Sequence, residues 1–390
     1  MIKSLSASQT DAQPPVAPAP RIHLNYLDGM RGLAAFWVVC SHLWHFQHVW
    51  EPGRFGLVSN WLSYAHLAVD MFIVLSGFCL VIPVARNGRL TGGVIDFYKR
   101  RARRILPPFY ACLAFSLALG LITDHLGHGY SIPITLKSTL ANLFLLQDIF
   151  PNLDTINIPL WSVALEWKIY FLFPVVIWLW QRYGPVAALS GAAVAGYGLM
   201  GLLLWHLSIR EQALTCPWYL LLFATGVCAG FYAFKEKPDT SQQKMLAAWR
   251  GAFVGSGLLL ACLLHTYPIW TNTSAAFDNY FRHLPIIDPV AGVFVASLLV
   301  LLHNSTRGGM ALARKLLSWP PLVFVGTFSY SLYLMHLPIL DIVRIAVDRV
   351  HPLSHSPNLQ LAAIAVIGLP LTLVGSYLFH LKFEKPFMRT

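Results

Sequence analysis

The chain has 390 residues, of which 56% are apolar and only 12% are charged, and its formal net charge is +11 at pH 7. Soluble domains carry roughly 25% charged residues, and a protein of this size cannot cover a water-facing surface with so few. These values and the long apolar runs exclude a soluble globular enzyme, a disordered chain and a secreted disulfide-rich domain, and they indicate a polytopic membrane protein.

The apolar runs are about 20 residues long and nearly continuous, which predicts membrane-spanning helices rather than the alternating strands of a β-barrel. The basic residues fall between the runs, so we expect membrane lipids and not nucleic acid as partners. The six cysteines are scattered, with no CxxC pair, and are interpreted as small buried residues. We predict an all-α, polytopic membrane helical bundle of about ten transmembrane helices, with no bound metal or cofactor.

Residues 1–21 are rich in Ser, Ala, Gln and Pro and lack the apolar stretch of a signal peptide, which predicts a disordered N-terminal tail. The remainder, 22–390, is predicted to be one membrane domain. Its predicted spans, in chain order, are 30–49, 62–83, 105–123, 160–180, 185–205, 216–234, 251–268, 286–303, 321–343 and 359–380. Segment 134–150 is shorter and carries Lys137 and Asp148, so we expect an interfacial or re-entrant helix.

The positions of the basic residues predict the orientation. With ten spans and a cytoplasmic N-terminus, 21 of the 28 Lys and Arg residues lie on the cytoplasmic side, six lie outside, and Lys168 lies within a span. If 134–150 also spanned, the basic cluster between Lys235 and Arg250 would move outside. We therefore predict a multi-pass protein of the cell's inner (plasma) membrane with both termini in the cytoplasm.

Two glycine pairs have the GxxxG spacing that allows helices to approach closely. They are Gly226 with Gly230 and Gly251 with Gly255. We predict that both pairs lie at helix contacts.

Ionisable side chains inside a membrane are costly and usually functional. Arg31 and His42 are eleven residues apart, about three helical turns, so they share one stripe of the first span about 16 Å apart. His42, Asp70, Glu166 and His336 all lie about 10 Å below the predicted outer surface. Each alone could be a helix-packing contact, but together they predict a buried acid/base site.

The segment KRRARRILPPFY, residues 99–110, places five basic residues at the cytoplasmic end of the third span. It could be a topology anchor that contacts lipid phosphates. It could equally be an anion site, because arginine binds phosphate oxygens with two parallel hydrogen bonds. Together with Arg31 it would suit a ligand that carries several phosphates.

Five segments, in order between about residues 24 and 385, resemble blocks of the acyltransferase 3 family of integral-membrane, acyl-CoA-dependent O-acyltransferases. They are LDGMRGLAAFWVVCSHLWHF, VDMFIVLSGFCL, RRARRILPPFY, PLWSVALEWKIYFLFP and GTFSYSLYLMHLPI. The matching residues, block by block, are Arg31 and His42; Asp70, Ser76, Gly77 and Phe78; Arg101 and Arg104; Trp161, Ser162, Glu166 and Tyr170; and Ser329, Tyr330, Tyr333, His336 and Pro338.

The resemblance implies an acyltransferase 3 membrane domain over 22–390, which would move an acyl group, taken here as acetyl, from acyl-CoA to a hydroxyl of a carbohydrate or lipid-linked glycan. Acyl-CoA is then a co-substrate and not a bound cofactor. The expected acyl-CoA-binding residues are Arg31, Arg101 and Arg104. The expected catalytic residues are His42 as general base with Asp70 or Glu166 orienting it. The expected substrate-binding residues are Ser76, Tyr333 and His336.

Two alternatives stay open. The acceptor could be a small lipophilic metabolite such as a macrolide, acylated from the cytoplasmic side. A transporter or flippase of an anionic substrate could use the same buried charges as a relay, although the sequence shows no internal repeat of the kind that marks many transporters.

Overall fold

The computed structural model is helical throughout the part of the chain it describes, and no β-strand occurs there. The described residues are 24–45, 61–125, 134–150, 156–203, 215–234, 239–269, 274–305, 307–350 and 357–388. The predicted N-terminal tail, residues 1–21, lies outside them.

The helices before the midpoint of the chain are α1 (Asn25–His45), α2 (His66–Asn87), α3 (Gly93–His125), α4 (Leu136–Leu143), α5 (Leu160–Tyr183) and α6 (Pro185–Leu203). Those that follow are α7 (Tyr219–Phe234), α8 (Asp239–Thr266), α9 (Ser274–Asn304), α10 (Gly309–Leu317), α11 (Pro320–Thr327) and α12 (Ser329–Asp348). The last stretch of helix consists of α13 (Pro357–Ala363), a π-helical turn (Ile364–Gly368), α14 (Leu369–Phe379), a second π-helical turn (His380–Glu384) and α15 (Lys385–Met388).

Eight of these helical stretches are long and apolar enough to cross a membrane, namely α2, α3, α5, α6, α8, α9, α12 and the final stretch from Leu359 to Met388. The other two predicted spans correspond to α1, of 21 residues, and to the shorter apolar α7, of 16 residues. The prediction of an all-α polytopic helical bundle is confirmed.

One predicted span, 321–343, is two helices in the structure. The sequence predicts a single helix over 321–343, but the structure has α11 and α12 with a break at Phe328, whose φ and ψ are −122° and 21°. α11 begins with prolines at its first positions, where a missing N–H costs nothing. Hydropathy alone cannot detect the break, because both halves are apolar.

Segment 134–150 contains only α4, whose eight residues span about 12 Å, less than half the hydrocarbon thickness. Its helix cannot cross a membrane alone. The chain after α4 is fastened to α5, because Lys168 Nζ lies 2.5 Å from Asp148 Oδ1 and donates to the Leu145 carbonyl at 2.6 Å. Lys168 is thus a partnered cation and not a free charge inside a span.

The helices differ in how much of their surface the protein itself covers. In α2, α5 and α9, 61% of the most apolar 18-residue window is buried, and in α12 the share is 67%. For α8 the share is 0%, and for α6 it is 17%. The first group therefore forms the interior of the bundle, whereas α6 and α8 present apolar surface outward, as expected for lipid-facing helices.

The glycine predictions are half right. A side chain at Gly226 would clash with the Val74 carbonyl of α2, and one at Gly77 would clash with the Phe223 carbonyl of α7. Gly226 and Gly77 therefore let the backbones of α2 and α7 touch. The prediction for Gly251 and Gly255 is wrong. A Cβ atom added at either glycine would have no described heavy atom within 4 Å. Both glycines lie on the outward-facing α8.

Gly226→Ala is expected to lower the melting temperature of the detergent-solubilised protein, because overpacking typically costs about 1–3 kcal/mol and a backbone atom cannot move aside. Gly251→Ala is the matched control. It is expected to leave the melting temperature unchanged or to raise it slightly, because alanine is about 1 kcal/mol better than glycine within a helix. Equal melting temperatures for the two variants would contradict the packing described for α2 and α7.

Candidate functional site

A cavity of about 190 Å³ lies where α1, α2, α3, α5 and α12 meet. Each of these five helices contributes polar lining residues, although they are far apart in the chain. Six of the predicted site residues line this cavity, namely Arg31, Ser76, Arg101, Arg104, Glu166 and Tyr333. Apart from α1, which contributes Arg31, each helix contributes several residues of one face because of helical spacing. On α5, for example, Ser162, Glu166 and Tyr170 recur every four residues.

Arginines occupy one part of the lining. Arg101 and Arg104 are three residues apart on α3, so both face the cavity, whereas Arg103 between them is exposed. Arg31 reaches the cavity from α1 and is also paired with Asp28, with its Nη1 3.0 Å from Asp28 Oδ1. The Nε atom of Arg101 is buried without a hydrogen-bond partner among the described residues. A buried N–H without an acceptor is costly, so the arrangement favours an anionic ligand at this position.

A chain of hydroxyl groups continues from the arginines. Tyr170 donates a hydrogen bond to Glu166. The carboxylate of Glu166 also attracts the guanidinium of Arg101 electrostatically. Because Tyr170 has used its only proton, the Ser76 hydroxyl, 2.7 Å away, donates to Tyr170. The network sets the orientation of Glu166 and of the Ser76 hydroxyl before any ligand binds.

A second hydroxyl pair lies further along the cavity. Ser162 donates to the Pro159 carbonyl at 3.2 Å, so Tyr333, whose hydroxyl is 2.7 Å from Ser162 Oγ, donates to Ser162. Tyr333 also contacts Phe72 edge-to-face, with ring centroids 5.9 Å apart. These contacts hold the Tyr333 ring in one position.

Two histidines lie directly beyond Tyr333. The ring of His336 is 6.0 Å from that of Tyr333, and His336 Nε2 is 3.0 Å from His42 Nδ1. His336 is fully buried. Neither histidine lines the cavity itself, so Tyr333 is the side chain that connects the cavity to the histidine pair.

The backbone determines the tautomers of this pair. His336 Nδ1 lies 2.8 Å from the Tyr333 carbonyl, which can only accept, so Nδ1 of His336 carries the proton. In the neutral ring His336 Nε2 is then an acceptor, and it takes the proton offered by His42 Nδ1. His42 Nε2 consequently carries the lone pair that a general base needs.

The predicted cluster of two histidines and two carboxylates does not form. No hydrogen bond joins Glu166 or Asp70 to His42. Glu166 lies beside Arg101 and Tyr170, and Asp70 lies in a separate buried group with Asp288 and Tyr219. Depth along the membrane normal specifies only one coordinate, whereas the direction in which each helix turns decides which side chains meet. Among the described residues, the hydrogen bond recorded for His42 is to another histidine, His336.

Sequence reasoning also left Tyr170 and Ser162 out of the site residues. Both lie in the block that contains Glu166, at four-residue intervals on the same helix face. That spacing was a usable signal, since any helix that presents Glu166 to the cavity presents both hydroxyls as well.

Comparison with known protein families identifies the family to which the chain belongs. Residues 24–381 match the Acyl_transf_3 family model, described as an acyltransferase domain. The match spans most of the chain, so this protein belongs to that acyltransferase family. The resemblance recognised in the five sequence blocks is confirmed, and family membership argues against the transporter alternative.

The relatives are proteins named as O-acetyltransferases. O-acetyltransferase OatA of Staphylococcus aureus (strain NCTC 8325 / PS 47) is 26% identical over 342 residues, covering 82% of this chain and 51% of the relative. Peptidoglycan O-acetyltransferase OatA of Listeria monocytogenes serovar 1/2a (strain ATCC BAA-679 / EGD-e) is 24% identical over 379 residues, covering 89% and 54%. The chain thus spans about half the length of these relatives. No solved structure matches the chain significantly.

Proposed function

We propose that this protein transfers an acetyl group from acetyl-CoA to a hydroxyl of a carbohydrate or lipid-linked glycan. One observation carries the proposal. The cavity is lined by arginines and by Tyr333, and Tyr333 lies next to the hydrogen-bonded pair of His42 and His336. The names of the relatives, which include a peptidoglycan O-acetyltransferase, support acetyl as the group and a glycan as the acceptor.

The donor would bind through its phosphates to Arg31, Arg101 and Arg104. The cavity, about 190 Å³, is smaller than the roughly 300–1,000 Å³ of pockets that enclose a drug-sized molecule. It would therefore hold a phosphate and part of the pantetheine arm, with the adenosine outside. The arm would pass Ser76 and Tyr333 toward His42, which lies about 16 Å from Arg31 along α1.

In the transfer step, His42 Nε2 takes the proton of the acceptor hydroxyl as the oxygen attacks the thioester carbonyl carbon. The new C–O ester bond forms, the C–S bond breaks, and the CoA thiolate recovers the proton from His42. His336 would act as a positioning residue that keeps His42 in the productive tautomer. Glu166 would orient Tyr170 and Arg101 on the donor side, rather than support the base.

In this proposal, the donor binds from one side of the membrane and the acceptor approaches from the other. We assign the arginines to the cytoplasmic side of the inner membrane and the acceptor to the outer side, with both termini in the cytoplasm, on the distribution of Lys and Arg. A hydroxyl acceptor that approaches from outside would reach His42 without passing the arginines.

His42→Ala is expected to reduce acetyl transfer from radiolabelled acetyl-CoA to a glycan acceptor by about 10²–10⁴-fold, the usual contribution of a general base. The protein should still fold, because His42 is only half-buried. A folded His42→Ala protein with wild-type kcat would contradict its assignment as the base.

His336→Gln is expected to keep more activity than His336→Leu, because the glutamine amide oxygen can still accept the proton of His42 Nδ1. The loss in both should appear in kcat and not in KM for acetyl-CoA, since His336 does not line the donor cavity. Equal loss in the two variants would indicate that His336 only fills space.

The double variant Arg101→Ala/Arg104→Ala is expected to weaken acetyl-CoA binding measured by calorimetry, by about 10-fold or more, because hydrogen bonds to charged groups are worth about 1.5–3 kcal/mol each. Added salt should weaken binding by the wild-type protein more than binding by this variant. Arg103→Ala is the matched control, since Arg103 is exposed on the same helix, and it should bind acetyl-CoA like wild type. Unchanged affinity in the double variant would leave these arginines as lipid or topology contacts.

Orientation can be tested in a parent chain whose six native cysteines are replaced by serine, with a single cysteine at one of two exposed positions, Arg89→Cys or Lys137→Cys. A membrane-impermeant maleimide should label the first only from the cytoplasmic side and the second only from outside, each measured against the parent chain. Labelling of both from one side would contradict the proposed topology. In inside-out vesicles, acetyl-CoA added to the exposed cytoplasmic face should then acetylate an acceptor enclosed in the lumen.

A further inference from the structure

A second polar cluster lies away from the cavity, where the beginning of α2 meets α9 and the residues that lead into α7. We name it the α2–α9 cluster and define it by His66, Asp70, Cys216, Tyr219 and Asp288. None of these side chains lines the cavity. Four are fully or almost fully buried, and His66 is half-buried.

Three side chains of the cluster lie close enough together to hold a metal ion. The candidate ligand atoms of His66, Cys216 and Asp288 all lie within 4.8 Å of one another. His66 Nε2 is 3.2 Å from Asp288 Oδ2. Ligand atoms around a tetrahedral zinc ion are separated by about 3.3–3.7 Å, given bond lengths of about 2.0–2.3 Å. Small side-chain rotations would close the remaining difference.

One carboxylate oxygen in the cluster lacks a partner among the described residues. Oδ1 of Asp288 is buried without a hydrogen bond, and the neighbouring Asp70 has no exposed surface. Asp70 lies beside Asp288 and Tyr219, so it points into the cluster. Among the described residues, the one salt-bridge partner of Asp288 is His66. Two adjacent buried carboxyl groups cannot both be ionised without a nearby cation, so they either share a proton or bind a cation such as a metal ion.

The backbone conformation at Cys216 is unusual. Cys216 has φ of +33°, a conformation that a residue with a side chain adopts only at a cost. The strained position directs a cysteine toward His66 and Asp288, and strain of this kind persists where a site over-determines the backbone. Trp218, two residues later, donates to Asp288 Oδ2 at 2.7 Å, which leaves Oδ1 for another ligand.

We propose that the α2–α9 cluster binds one zinc-type divalent metal ion through His66 Nε2, Cys216 Sγ, Asp288 and Asp70. On binding, the Cys216 thiol and any protonated carboxyl release their protons. The Tyr219 hydroxyl, 2.9 Å from His66 Nε2, gives up that contact and keeps its contact with Asp70. Four protein ligands close the coordination sphere, which is the arrangement of structural zinc sites.

The metal would join α2, α9 and the entry to α7 behind one wall of the cavity. The His66 ring stacks parallel to Trp161, with centroids 6.1 Å apart, and the next residue, Ser162, lines the cavity. Val69, which precedes Asp70, lines it as well. The metal therefore supports the shape of the cavity without contacting the transferred group, and the proposal does not depend on the identity of donor or acceptor.

The test measures the zinc content of the purified full-length protein by mass spectrometry after passage over a chelating resin. Wild type is expected to retain about one zinc per chain, as a closed four-ligand site would. Cys216→Ser should lose most of it. The matched control is Cys228→Ser, because Cys228 is also buried and lies on α7 outside the cluster, and it should retain the metal.

A second measurement covers the case in which Cys216→Ser fails to fold. Wild type loaded with Co²⁺ should show the thiolate-to-cobalt charge-transfer absorption, and chelation of the metal should lower its melting temperature, which Zn²⁺ should then restore. The proposal is overturned if wild type holds no zinc and Zn²⁺ does not raise its melting temperature. It is also overturned if Co²⁺ gives no charge-transfer band, or if folded Cys216→Ser and Cys228→Ser hold equal zinc.

Discussion

The contact between the backbones of α2 and α7 is the constraint on which the interior depends. Gly77 and Gly226 remove the side chains that would hold the two helices apart, so carbonyl oxygens lie where Cβ atoms would be. This contact fixes the rotation of α2 about its axis. One face of α2, with Val69, Ser76 and their neighbours, then borders the cavity, and the residues His66 and Asp70 are directed to the α2–α9 cluster.

Several charged groups of the interior are compensated by a neighbouring side chain. Arg31 is paired with Asp28, and Lys168 with Asp148. At the beginning of α12, Ser331 donates to Glu384 at 2.6 Å, and His380 lies 2.8 Å from the same carboxylate. Other buried polar atoms have no hydrogen-bond partner among the described residues, and they include Nε of Arg101 beside the cavity and Oδ1 of Asp288 in the α2–α9 cluster. Because unpaired polar groups are costly in a low-dielectric interior, these two atoms support the ligand sites proposed there.

The histidine pair shows that equal depth in the membrane does not identify which side chains are in contact. The hydrogen bond between His42 and His336 does. His42 and His336 lie on helices that are adjacent because α1 packs against both α11 and α12. The break at Phe328 separates α11 from α12, and Ser329, Tyr330 and Tyr333 follow it along the cavity. The Tyr333 carbonyl then sets the proton on His336, and through it the lone pair on His42. Local backbone geometry thus sets the tautomers of both histidines.

Sequence alone determined the class of fold, the family and six polar residues of the cavity lining, because hydropathy, charge asymmetry and helical spacing are properties of single segments. It predicted Arg31, Arg101, Arg104 and Glu166 as site residues, and the structure brings them together. Which helices touch was decided by tertiary structure: Gly226 packs and Gly251 does not, although their spacing is identical. The partner of His42 and the gathering of His66, Cys216 and Asp288 were likewise invisible in sequence, because residues up to 294 positions apart meet only when helix rotation and lateral packing are set.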